Sequence, residues 1–60
     1  MLELYRDFYG CHAAIRTYRN GSARLTVRTP GGKIIHAKDC ATRKGARIAM
    51  GRLSDCWTQK

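Results

Sequence analysis

Apolar and polar positions alternate most regularly over residues 23–29. Ala23, Leu25 and Val27 fall on one face, and Arg24, Thr26 and Arg28 on the other. A period of two marks a half-buried strand. Residues 12–19 repeat the pattern, with Ala13, Ile15 and Thr17 set against Ala14, Arg16 and Tyr18. Between them stands Asn20-Gly21, a strong turn signal. A two-residue loop would pair Tyr18 with Ala23 and Arg16 with Leu25, mixing charged and apolar faces. A three-residue loop of Arg19, Asn20 and Gly21 pairs Ile15 with Leu25 and Ala13 with Val27. It puts Gly21 in the left-handed position of a bulged turn. It also sets Arg16 opposite Arg24, a like-charge pair that an anion between them would relieve.

Thr29-Pro30-Gly31-Gly32 predicts a second turn, with Pro30 at the first corner and Gly32 supplying a positive φ. A three-residue loop here pairs Val27 with Ile35 and Leu25 with Ala37, making residues 33–38 a third strand. Downstream, Ala46, Ala49, Met50, Leu53 and Trp57 recur at helical spacing and predict one helix over residues 42–57. Thr42 is the expected N-cap. Residues 1–10 contain Leu2 and Leu4 alternating with charged residues, as in a strand. Leu4, Tyr5 and Phe8 suit one helical turn equally. This segment reads as a flap that either completes the core or pairs two copies of the chain.

The expected fold is α+β: a three-stranded antiparallel meander over residues 12–38 packed on one C-terminal helix, preceded by the short flap. Sixty residues correspond to one small domain. No linker or internal repeat is evident. The expected core is Ala13, Ile15, Leu25, Val27, Ile35, Ala37, Ala46, Ala49, Met50, Leu53 and Trp57. One helix covers one face of a sheet, so the other face stays open. In this register the open face carries His12, Arg16, Tyr18, Arg24, Thr26, Arg28, Ile34, His36 and Lys38.

Charge gives that face a meaning. Twelve Lys and Arg stand against four Asp and Glu, a net charge of +8. The four acids, Glu3, Asp7, Asp39 and Asp55, all fall outside the three expected strands. A single-sign sheet surface attracts phosphates, and arginine also reads guanine edges in a major groove. The helix start is a second anion site, with free amides and Arg43, Lys44 and Arg47 close together. The expected nucleic-acid contacts are therefore Arg16, Tyr18, Arg24, Thr26, Arg28, His36, Lys38, Arg43, Lys44 and Arg47.

The order strand, turn, strand, PGGK, strand and ATRKGARIAMGRL resembles a family of DNA-binding domains built from a three-stranded sheet and a helix. These are found in the arm-binding domain of tyrosine recombinases and in plant ethylene-response transcription factors. Gly32-Lys33, Thr42, Ala46, Ala49 and Leu53 carry the resemblance, over about residues 10–54. The family's strand aromatic is replaced near Cys11-His12, and its Phe before the helix by Cys40. The resemblance implies duplex DNA binding, with the open sheet face in the major groove. Thr42, Arg43, Lys44, Ala46 and Arg47 also resemble the start of the last helix of double-stranded RNA-binding domains, where a basic pair grips phosphates.

Other chemistries find less support. His36, Cys40, Cys11, His12 and Cys56 match no standard zinc spacing, and no metal or other cofactor is expected. There is no paired carboxylate, phosphate loop or nucleophile beside a base, so an enzyme is not expected. The three cysteines are odd in number, and no apolar run suits a leader or a membrane span. An intracellular, reducing setting such as the cytoplasm is expected, with no membrane partner. Duplex DNA is thus the first expected partner and double-stranded RNA the second. A third reading is an inhibitor or adaptor of phage or plasmid type that binds an acidic host protein surface. There Ile34, Tyr18 and the Leu-Tyr-Phe leader would matter most, and a homodimer is compatible with any of these.

Overall fold

A computed structural model describes residues 1–7, 9–54 and 57–59. The fold is α+β, with five antiparallel strands where three were expected. The strands are β1 (Leu2–Arg6), β2 (His12–Thr17), β3 (Ala23–Arg28), β4 (Ile34–Cys40) and β5 (Thr58–Gln59). The helix α1 (Arg43–Leu53) lies between β4 and β5. The sheet order is β4-β3-β2-β1-β5, so the connection from β4 to β5 passes from one edge of the sheet to the other, and α1 within it packs over β2, β3 and β4.

Three hairpins join the first four strands, and they share one turn. Asp7 and Cys11, Tyr18 and Ser22, and Thr29 and Lys33 each close a loop in which the first residue's amide donates to the last residue's carbonyl. In each, a glycine amide donates back to the first carbonyl, at 3.3 Å from Gly10, 3.0 Å from Gly21 and 2.9 Å from Gly32. Those glycines have φ of 85°, 90° and 93°. That region penalises any residue with a Cβ. Gly21 and Gly32 fill the expected role. Gly10 extends it, and the three recur every eleven residues, a repeat that composition alone conceals.

The β2–β3 register is the expected one: Ile15 faces Leu25, Ala13 faces Val27 and Arg16 faces Arg24. The β3–β4 register is not. Arg28 pairs with Ile34, but Val27 pairs with His36 and Leu25 with Lys38, because a bulge inserts Ile35. One extra residue exchanges the faces of everything after it. Ala37 therefore leaves the expected core and is exposed, while Cys40 packs against the core.

The core consists of Tyr5, Ala13, Ile15, Ala23, Leu25, Val27, Ala46 and Met50. Tyr5 enters because the segment expected to be a flap is strand β1, whose Glu3 and Tyr5 face the helix. Ile35 is 55% exposed and Leu53 49%, so neither is core. Ala49 and Trp57 are partly buried against the core. The helix ends at Leu53, not at residue 57: Ser54 is extended (φ −163°, ψ 145°). Trp57 reaches the core from beyond that end, its Nε1 donating to the Met50 carbonyl at 2.8 Å. That contact satisfies one of the carbonyls a helix end leaves open. Phe8 of the expected flap lies outside the described residues.

At the other end, Thr42 caps as expected, its hydroxyl accepting from the Gly45 amide at 3.0 Å. The first turn is also tied down by an ion pair. Glu3, buried on β1, accepts from Arg43 Nε at 2.6 Å and from Arg43 Nη2. These hydrogen bonds hold the Glu3 carboxyl below the usual carboxylate value of 4.5, against the opposing effect of burial.

Two outcomes test this packing. A carboxylate with a depressed folded pKa stabilises above its unfolded pKa, and that stabilisation fades as pH falls through the folded value. Glu3→Gln should therefore melt about 4–8 °C lower at neutral pH, and the gap to the parent should close below about pH 4.5. Circular dichroism melts across that range measure it. Thr17 has a buried hydroxyl oxygen with no hydrogen-bond partner. Thr17→Val keeps the shape and removes the unmet polar atom, so it should raise stability by about 1 kcal/mol in urea titration.

Candidate nucleic-acid interface

The helix-free face follows from the pairing. Cross-strand neighbours share a face, so the register gives three rows running across the strands. The first is Leu2, Arg16, Arg24 and Asp39. The second is Leu4, Ala14, Thr26 and Ala37. The third is Arg6, His12, Arg28 and Ile34, with Thr58 beside Arg6. Tyr18 stands just past the first row and is 45% exposed. Arg6, Arg16, Arg24 and Arg28 are all exposed. The outer rows lie four residues apart along β1, β2 and β3, about 13 Å at about 3.4 Å per residue, and five apart along the bulged β4.

The expected contacts divide on this geometry. Arg16, Tyr18, Arg24, Thr26 and Arg28 come together and line one concavity with Leu2 and Ala14. His36 and Lys38 do not join them. The Ile35 bulge turns both to the helix side, where they stand opposite Val27 and Leu25. His36 instead lines a smaller cleft of about 210 Å³ with Cys11, Val27, Ile35, Leu53 and Trp57. Arg43 is held by Glu3, so the expected cluster at the helix start keeps only exposed Lys44 and Arg47 unpaired with that acid.

The expected separation of acids from the strands also changes. Asp39 lies in β4 on the open face, and Arg24 Nη1 donates to it at 3.0 Å. Asp39 offsets the repulsion between Arg16 and Arg24. Both partners of the pair are well exposed, so it contributes at most about 1 kcal/mol and yields readily to a stronger anion. Among the described residues it is the one acid in the three rows. Arg6 is the site residue that sequence reasoning missed. Its signal was the alternation of Leu2, Leu4 and Arg6 with Glu3 and Tyr5.

Among the described residues no group of three or more His, Cys, Asp or Glu side chains is placed to hold a metal ion. Cys11 and Cys40 are free thiols, and Cys56 lies outside the described residues. Among the described residues no helix is long and apolar enough to cross a membrane. No family model, curated protein or solved structure matches the chain.

The exposure of the Arg24–Asp39 pair gives a direct check. Asp39→Asn should change stability by less than about 1 kcal/mol in urea titration, while making the open face more cationic.

Proposed function

We propose that this protein binds nucleic acid through the open sheet face, DNA ahead of RNA, as an intracellular binding protein rather than an enzyme. The observation that carries the reading is the arrangement of Arg6, Arg16, Arg24 and Arg28 in two rows, with one weakly held acid, Asp39, at the end of the first. Four arginines on one small face form a phosphate-binding surface that costs repulsion in the free protein. Tyr18 and Thr26 beside them add an aromatic face and a hydroxyl, groups suited to bases and sugars. Free thiols at Cys11 and Cys40 suit a reducing compartment. The helix start supports an RNA-binding role less well, since Arg43 is committed to Glu3.

A second reading is favoured by exposed Leu2, Leu4 and Ile34 at the margins of the same face. Apolar margins around a cationic centre suit an acidic protein surface. Pull-down from nuclease-treated extract separates the two, because only a protein partner survives that treatment.

Fluorescence anisotropy with labelled DNA at two salt concentrations tests the main reading. Affinity should fall steeply as salt rises, with a log–log slope of about −3 to −4 for four neutralised phosphates. The double variant Arg16→Ala/Arg28→Ala should weaken binding at least about tenfold and flatten the slope by about 2. Binding that ignores salt, or a double variant that binds normally, would falsify the proposal. Asp39→Asn, by releasing Arg24, should tighten binding.

A further inference from the structure

The three rows differ in height as well as in charge. Ala14 and Thr26, at the centre of the middle row, are short. Around them stand Leu2, Arg16, Tyr18, Arg24 and Arg28, and together these residues line an open recess of about 300 Å³. A protein that reads a duplex groove presents a ridge to it, such as a helix or a narrow ribbon of strands. This face presents a hollow between two cationic rows.

Its width points the same way. Five strands at about 4.8 Å spacing place the outermost strands about 19 Å apart. The major groove of B-form DNA is about 12 Å wide. The sheet cannot lie flat inside it. A single strand has no such limit: its bases are free to turn toward the protein while its phosphates remain outside.

We infer that the ligand of this face is single-stranded nucleic acid, with one unpaired base seated in the recess and the flanking phosphates held by Arg16, Arg24 and Arg28. This inference rests on the nucleic-acid reading above and narrows it. The recess offers what a base needs. Ala14 and Leu2 give its lining apolar surface, and Thr26 lies between the arginines of β3 in the same lining. Tyr18 supplies an aromatic surface for stacking, and the Thr26 hydroxyl both donates and accepts hydrogen bonds. A hydroxyl pairs with any base edge, and every base has a stacking face, so recognition is tolerant of sequence. Arg24 exchanges its exposed bond to Asp39 for a phosphate when the strand arrives.

Anisotropy titrations with four labelled probes of about 15 nucleotides test this. They are single-stranded DNA, single-stranded RNA of the same sequence, the DNA duplex, and a DNA strand carrying abasic sites throughout its central part. The better of the two intact single strands should bind at least about tenfold more tightly than the duplex, and which one it is identifies the sugar preferred. The abasic strand keeps every phosphate and should bind at least about fivefold more weakly than intact DNA, the loss that one missing stacked base produces. A duplex that binds as tightly as the single strands, or an abasic strand as tight as the intact one, overturns the base recess and leaves the nucleic-acid reading standing. No binding by any probe overturns both.

Two variants place the effect at the recess. Tyr18→Ala should weaken the intact strand about fivefold or more without changing the abasic strand, and Tyr18→Phe should restore the loss. Thr26→Leu fills the recess without touching a charge and should act as Tyr18→Ala does. Circular dichroism confirms that each variant is folded. If both folded variants bind the intact strand like the parent, the base does not sit there.

Discussion

The left-handed glycines Gly10, Gly21 and Gly32 govern the rest of the molecule. Each closes a hairpin of fixed length, and hairpin length fixes register. Register in turn decides which side chains meet the helix. A slip of one residue along β3 would turn Arg24, Thr26 and Arg28 into the core and push Leu25 and Val27 into water. The buried cluster and the cationic rows are thus two results of a single choice made at three turns. Replacing one of these glycines would strain the backbone by about 1–2 kcal/mol and would loosen the register on which both faces depend.

The helix completes the division. Its eleven residues span about 16 Å and pack over β2, β3 and β4. It lies in the connection from β4 to β5 and is too slender to cover more than one side of the sheet. Ala46 and Met50 are its fully packed contacts, and the Glu3–Arg43 pair ties its first turn to β1. That pair also removes one cation and one acid from the pool available to a ligand. The charge left on the open face comes from strands alone, held at the spacing of the ladder.

Much of this was legible in the residues. The alternation in residues 12–19 and 23–29 located β2 and β3, and conflict between faces was enough to select the correct loop between them. The capping role of Thr42 and the special backbone of Gly21 and Gly32 were equally plain. The losses have physical causes. Strand β1 is five residues long and earns its place through partners about ten and forty residues away, which no local period reports. Strand β5 has only two residues. Trp57 falls at helical spacing, yet it packs from beyond the helix end. In Ile34-Ile35 either isoleucine suits a strand, so nothing local marked Ile35 as the inserted one. That single insertion moved His36 and Lys38 off the open face and brought Asp39 onto it.

The same insertion has a consequence for the solubility of the protein. Strand β4 is seven residues long and, among the described residues, lies at the edge of the sheet, where one row of backbone groups faces away from its neighbour. Such an edge is a template on which a second chain can add, and exposed Ile34 and Ile35 would make the addition adhesive. A bulge bends and twists the strand at that point, so a straight partner cannot follow it. Beyond it, Lys38 and Asp39 put charges along the remainder. The irregularity that rearranges the binding face is therefore also a guard, closing the longest open edge of the sheet to unwanted strand addition.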